Sequence, residues 1–501
     1  MGYLDSILYG FSVTFQPANI LFCFVGCLVG TLVGVLPGIG PVGTIALLLP
    51  FTLGASPVTG IIMLAGIYYG AQYGGSTTSI LVNIPGEASS VVTCLDGYQM
   101  ARQGRAGPAL GIAAFGSFIA GTLGVVGLMF LAKPLAECAL RFGPPEYFAV
   151  MCLGLVMVTY LTKGSTVKGL ITAVAGFILS QIGMDIINAV PRFTFGFDEL
   201  RDGIDMAPLV MGLLGISEVL INIEETGEVS VYKAKIKGLF PDLKDWAASA
   251  GAILRGTVLG FFLGILPGLG VVTASFASYA VEKKVSKHPE RFGTGAIEGV
   301  AGPESANNSA TASGFIPLFT LGIPSNVVMA LLLGGLMIHG IQPGPLLLKE
   351  HPEIFWGTVA SMYLGNVFLL ALNLPLIGIW VKLLQIPYRI LFPLILAIMM
   401  MGAYSVSNRT FDLFIMLIFG VVGYQFKKFE FEPAPLVLAF ILGPIMEKHF
   451  RLSLLMSGGD LLFFFTRPIA AVGLILAALL LLSSMLPFMK RLKSKTADQA
   501  D

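Results

Sequence analysis

Two short runs of hydroxyl and amide side chains stand out in an otherwise apolar chain. Tyr73-Gly-Gly-Ser-Thr-Thr-Ser79 sets four consecutive hydroxyls behind two glycines. Ser305-Ala-Asn-Asn-Ser-Ala-Thr-Ala-Ser313 carries two amides and four hydroxyls. Neutral donors of this kind can hold a carboxylate without a fixed counter-charge that resists its release. Each run is followed by a backbone break, Asn83-Ile-Pro-Gly86 and Gly322-Ile-Pro-Ser325-Asn326. The alternative reading is packing between helices through small residues, which favours the same residue types.

A second pair of motifs offers backbone chemistry. GVLPGIG (Gly34 to Gly40) ends an apolar run, and GILPGLG (Gly264 to Gly270) repeats it about 230 residues later. Proline removes a helical N–H and clashes with the preceding turn, and glycine loosens the backbone. In lipid, the freed groups are tolerated only where they are buried in protein or line a cavity. Unwound carbonyls around Pro37, Gly38 and Gly40, and around Pro267, Gly268 and Gly270, are candidate ligands for sodium. Half-helix N-termini suit a carboxylate. A packing kink is the plainer explanation for either motif alone.

Charged residues offer less. Glu87, Asp96, Arg102 and Arg105 fall after the first break, and Glu298 and Glu304 flank the second run. Most are expected to be solvated loop charges, with Arg102 or Arg105 a candidate to attract an anion. Glu218 and Glu447 end paired helices and are candidates for proton coupling or snorkelling. His288, His339, His351 and His449 lack metal-ligand spacing. No GxxxxGK[ST], HExxH or GxSxG motif occurs, so ATP hydrolysis and enzymatic catalysis have no residues to stand on.

The elements that must position these residues are membrane helices. The chain has 501 residues, 55% hydrophobic and 12% charged, against about 25% charged in soluble domains. Its mean hydropathy is +0.85. Apolar runs at Pro108 to Ala132, Glu146 to Leu161, Val167 to Met184, Ile354 to Trp380 and Pro468 to Pro487 approach the ~20 residues of a crossing. Roughly 11–13 hydrophobic segments are present, at least two of them short for a span. A net charge of +1 gives no case for nucleic acid. Cys23 and Cys27 read as small packing residues.

Five motif pairs recur in the same order, which marks an internal duplication. Besides the three above, FGFD (Phe195 to Asp198) pairs with FEFE (Phe429 to Glu432), and APLVMGLLG (Ala207 to Gly215) with APLVLAFILG (Ala434 to Gly443). The expected order is an N-terminal amphipathic segment 1–17, repeat one 18–222, a cytoplasmic linker 223–250, repeat two 251–448, one further helix 449–490 and a basic cytoplasmic tail 491–501. Lys and Arg near span ends mark the cytoplasmic side. With linker and tail both inside, the repeats run in opposite directions. The expected fold is thus an all-α integral membrane protein of two inverted-topology repeats with broken helices and re-entrant hairpins. Such repeats belong to transporters whose sites lie near the midplane.

GVLPGIGPVGT, YGGSTTSILVNIPGEASSVVTCLDGYQMARQGRAGPAL, GILPGLG and GPESANNSATASGFIPLFTLGIPSN resemble the large membrane (permease) subunit of the tripartite tricarboxylate transporters. The similarity runs over about 1–490, without departure at these positions. It implies a multi-pass protein of the bacterial inner membrane, working with a small membrane subunit of about four helices and a periplasmic solute-binding protein. Uptake of citrate or a related carboxylate would be driven by sodium or protons, by an elevator-like movement and with no resident cofactor; a homodimer is compatible with this. Mapped onto the chain, the substrate residues are Ser76, Thr77, Thr78 and Asn83, with Asn307, Asn308, Ser309, Thr311, Ser325 and Asn326. A passive organic-anion channel is the competing reading, and a membrane enzyme a more distant one.

Overall fold

The computed structural model describes residues 2–36, 40–160, 165–185, 187–224, 238–267, 270–383 and 388–497. Six of its helices are long and apolar enough to cross a membrane, and six shorter apolar helices accompany them. The first half holds α1 (Tyr3–Thr14), α2 (Pro17–Val35), α3 (Gly40–Leu48), α4 (Pro57–Val82), α5 (Val91–Arg102) and α6 (Ala106–Ala139). Then come α7 (Pro144–Tyr160), α8 (Thr166–Leu179) and α9 (Met206–Glu224). The second half holds α10 (Leu243–Ile265), α11 (Gly270–Val285), α12 (Glu298–Ser313), α13 (Phe315–Leu321), α14 (Val327–Ile338) and α15 (Pro352–Asn373). The chain ends with α16 (Tyr388–Ser407), α17 (Thr410–Lys428), α18 (Ala434–Ser457) and α19 (Pro468–Ala497).

Helix starts follow local chemistry. Ser56 caps α4 by accepting from Thr59 N–H, with Pro57 in the first turn. Asp242 caps α10 by accepting from Asp245 N–H at 2.8 Å, so that helix begins within the stretch expected to be linker. Two apolar runs are not helical to their ends. The run to Met184 leaves its helix at Leu179 and forms an antiparallel strand pair, β1 (Gly183–Met184) with β2 (Pro191–Arg192). The run Ile354 to Trp380 breaks around Pro375, because α15 stops at Asn373 and a short helix follows over Ile377–Leu383.

Two helices lie at the centre. Residues 59–82 of α4 are all buried, and so are residues 299–313 of α12. Each is gripped by one neighbour through a glycine seam. Gly26, Gly30 and Gly34 of α2 face the backbone of Met63, Ile67 and Ala71 on α4. Gly256, Gly260 and Gly264 of α10 face that of Gly302, Ala306 and Ala310 on α12. A Cβ at any of these six glycines would overlap a carbonyl oxygen of the partner helix. This is small-residue packing at four-residue spacing, used twice at matching places in the two halves. Cys23 and Cys27 complete the packing of α2, facing the carbonyls of Ser361 and Gly365 on α15 at 3.6 and 3.8 Å.

The strand pair is tied to α18 by charge. Asp185 accepts from the N–H groups of Asn188 and Ile187 at 2.7 and 2.8 Å and from Arg451 Nη1 at 2.7 Å. Arg192 grips Glu447 with two N–H groups, at 2.7 and 3.1 Å. The Asn188 N–H, and next the Arg451 guanidinium, hold the Asp185 carboxyl down at about 2.

Two outcomes are expected. Gly260→Val loses about 1–3 kcal/mol through overpacking and melts lower in detergent. Gly54→Ala, with no atom within 4 Å of its added Cβ, stays within about 0.5 kcal/mol; equal melting of both variants would contradict a closed seam. A depressed native pKa gives stability that is complete above the unfolded value of about 3.9 and is lost as pH falls through the native one. Protection of the Gly183–Arg192 hairpin from hydrogen exchange should therefore fall between about pH 4 and 2, and Asp185→Asn should flatten that profile.

Candidate functional site

Both breaks have the same backbone form. α2 ends at Val35, Leu36 is extended (φ −88°, ψ 105°), and α3 opens on Gly40 at φ 63°. α10 ends at Ile265, Leu266 is extended (φ −78°, ψ 125°), and α11 opens on Gly270 at φ 53°. The left-handed positions explain why a glycine closes each motif. Pro267 follows as a turn residue, whereas Pro37, Gly38 and Gly268 lie outside the described residues. A helix that stops inside protein leaves carbonyls without donors. One is met directly: Thr78 Oγ1 donates to the Val35 carbonyl at 2.8 Å.

Each half then places a hairpin tip against its own break. Asn83 ends α4 at φ 61°, and Gly322 ends α13 at φ 68°. They hold one role, the left-handed residue that closes a helix before an Ile-Pro pair, which asparagine and glycine fill best. Asn83 is exposed, and that backbone duty accounts for its presence. On the first tip, Gly86 packs against Gly34 and Gly75 backbone. On the second, Asn326 caps α14, its Oδ1 accepting from Met329 N–H at 3.0 Å. Its amide also donates to Tyr68 Oη on α4 at 3.1 Å. It lies beside Gly270, and the buried Ser325 lies over Gly314.

The two halves meet through polar side chains. Ser76 Oγ on α4 donates to Glu304 Oε2 on α12 at 2.6 Å, and Thr93 Oγ1 on α5 donates to Glu304 Oε1. Asn307 Nδ2 lies 3.5 Å from Glu87 Oε1, and Ser89 donates to the same oxygen. The Gln72 amide, turned with its nitrogen toward Glu87, reaches Oε1 at 2.6 Å and Asn307 Oδ1 at 2.9 Å. Other polar residues of the second run bond to neighbouring helices and to their own backbone. Asn308 donates to Ser117 on α6 at 2.7 Å, Ser309 to the Thr257 carbonyl at 2.8 Å, and Thr311 to the Asn307 carbonyl at 2.9 Å. Thr77 is buried and lines a small cavity with Tyr73, Ser76 and Asn373. A larger cavity of about 550 Å³ opens beside the second tip, with Gly322, Gln342, Tyr147, Lys448 and His449 in its wall.

Two of the charges are not the solvated loop residues that the sequence led one to expect, while Arg102 is exposed as expected. Glu304 is 1% exposed and Asp96 0%. Glu304 lies inside α12, and Asp96 inside α5. Asp96 accepts from the N–H groups of Gly293, Gly295 and Ala296 at 2.8–2.9 Å and from Tyr279 Oη at 2.9 Å. It thereby pins the loop before α12 onto the first half. Arg105 pairs with Asp245. Glu218 pairs with Lys427, and Glu447 with Arg192 and Arg451. A signal for Glu304 was present: 304, 307, 308 and 311 fall on one helical face.

A family model described as the tripartite tricarboxylate transporter TctA family matches residues 20–438. An uncharacterized 52.8 kDa protein of the TAR-I ttuC′ 3′ region of Agrobacterium vitis is 50% identical over 501 residues, the whole of both chains. A second Agrobacterium vitis protein, from the TAR-II ttuC′ 3′ region, is 53% identical over 230 residues, covering 45% of this chain and 95% of its own. No solved structure matches the chain.

Asn83→Gly should leave both stability and uptake near wild type, because glycine serves the left-handed position. Asn83→Leu should cost about 1–2 kcal/mol. Lost uptake in a well-folded Asn83→Gly protein would return Asn83 to the binding residues.

Proposed function

The chain belongs to the tripartite tricarboxylate transporter TctA family, and from that premise we propose that it is the carrier of a binding-protein-dependent secondary transporter. It imports citrate or a related carboxylate across the bacterial inner membrane on a sodium or proton gradient. A periplasmic solute-binding protein delivers the substrate, and a small membrane subunit of about four helices completes the complex. The two halves stand in opposite orientations, and the hairpin-bearing part moves in an elevator-like way against the rest.

One observation supports this reading above the others. In a chain of apolar helices, two breaks and two tips bring hydroxyls and amides from both halves together around α4 and α12. Alternating access needs such a site, shared between related halves. The substrate residues are Ser76, Thr77, Asn307, Thr311, Ser325 and Asn326, because these lie at the tip or face the opposite half. Thr78, Asn308 and Ser309 have their donors engaged with neighbouring helices and serve packing. Among the described residues no three His, Cys, Asp or Glu side chains converge. Coupling sodium would therefore be held by backbone carbonyls at the breaks, Gly40 and Gly270 among them.

Radiolabelled citrate uptake into proteoliposomes holding both membrane subunits tests the reading. The binding protein is added outside, and sodium and proton gradients are imposed in turn at fixed membrane potential. Saturable accumulation that requires the binding protein and one gradient is expected. Non-saturating flux without either would mean an anion channel. Asn326→Ala should raise the half-saturating citrate concentration about tenfold, the equivalent of ~1.4 kcal/mol.

A further inference from the structure

The carboxylates of Glu304 and Glu87 are the polar groups that the carrier reading leaves without a task. Both are drawn into the seam between the halves, one from each half. Their oxygens are covered by Ser76 and Thr93 on Glu304 and by Ser89, Gln72 and Asn307 on Glu87. Among the described residues, neither forms an ion pair. An ionised carboxylate in such a place is costly, and a buried acid without a cation is relieved by taking up a proton.

We infer that Glu304 is the proton-carrying group of this protein, loaded and unloaded through Glu87. The inference rests on the carrier reading and deepens it, by naming the coupling ion and the residue that carries it. Three observations converge on it. First, Glu87 is half-buried on the first tip while Glu304 is 1% exposed, so the pair runs from an accessible acid to an enclosed one. Second, the groups around both acids are hydrogen-bond donors. The hydroxyls of Ser76 and Thr93 can also turn to accept the O–H of a protonated Glu304, whereas the amide nitrogens of Gln72 and Asn307 only donate and favour an ionised Glu87, so a proton shared by the pair rests on Glu304. Third, Tyr73 Oη and Asn373 Oδ1 are buried without partners. Both residues line the small cavity that Ser76 shares, at about 10 Å³ close to what a single water requires. A donor and an acceptor of proton chains thus stand one hydroxyl away from Glu304.

The chemistry is a simple transfer. A hydronium ion on the open side gives its proton to the Glu87 carboxylate and leaves water. The proton passes to Glu304, whose O–H forms as that of Glu87 breaks, and it leaves by the reverse transfer, from Glu304 to Glu87 and from Glu87 to a water on the other side. Other titratable or charged groups near the pair are Tyr68 and Tyr73 on α4, Cys94 and Asp96 on α5, and Tyr279 and Glu282 on α11. Asp96 is held by backbone N–H groups and Tyr279, Glu282 by Arg255 on α10, and Arg105 at the start of α6 by Asp245. None of these pairs supplies a cation to Glu304.

Infrared difference spectroscopy on the purified full-length protein in lipid tests this without any transport step. A carbonyl band of a protonated carboxylic acid is expected at neutral pH, shifted in heavy water, lost at high pH and missing from Glu304→Gln. Should Glu304→Gln fail to fold, Glu304→Asp should move the band. Absence of the band from wild-type protein over its whole folded pH range would overturn the inference. So would its loss on adding sodium at constant pH, which would mark a sodium site, or its persistence in Glu304→Gln with loss in Glu87→Gln. In proteoliposomes, Glu304→Gln should lose proton-driven accumulation of citrate. Wild-type protein that shows the band but neither exchange nor accumulation of any carboxylate would refute the carrier reading and leave the proton site standing.

Discussion

Everything polar inside this protein depends on how closely α2 approaches α4 and α10 approaches α12. Inside lipid, a backbone carbonyl without a donor has no water to turn to. The glycine seams remove the side chains that would hold the backbones apart. Hydroxyls on one helix can then reach carbonyls on the next, as Thr78 reaches Val35 and Ser309 reaches Thr257. Without that approach, the breaks after Val35 and Ile265 would expose more orphaned groups than the fold could satisfy. The helix breaks and the seams are therefore one device, and both halves carry it.

The same closeness divides the polar residues into two kinds. Some stabilise one half's own framework and have no donor to spare, among them Thr78 and Ser309. Others lie across the seam between the halves, with Tyr68, Ser76, Glu87, Glu304, Asn307 and Asn326 prominent among them. Bonds of the second kind join elements far apart in sequence, and a relative movement of the two halves would have to exchange them. Hydroxyl and amide bonds suit that use, since each is worth only about 0.5–1.5 kcal/mol net and can be replaced by bonds to a passing carboxylate. The charged networks lie elsewhere. Asp185, Arg192, Glu447 and Arg451 join the strand pair to α18, and Lys427 joins α17 to α9.

Family membership and site geometry support each other without being the same argument. The match over residues 20–438 places the chain among transporter subunits. One relative in Agrobacterium vitis is similar over the whole length of the chain. Substrate, coupling ion and partners belong to the proposal, which the polar seam supports by its chemistry.

By itself the sequence determined a great deal. Hydropathy identified membrane helices, because the bilayer demands runs of about 20 apolar residues. Repeated motifs located both breaks and both tips, because proline and glycine act on the backbone that carries them. What it could not decide was the standing of individual polar residues. Glu304 and Asp96 looked like loop charges, since composition does not say which helix start will draw a residue inside. The left-handed backbone that Asn83 shares with Gly322 was not visible either. The start of α10 at Leu243 was hidden in a polar stretch because a capping aspartate and a solvated linker look alike in sequence. In each case the deciding partner lies far along the chain or in the local backbone angle. Ser76 is 228 positions from Glu304, and only the closed seam between the halves puts the two within a hydrogen bond.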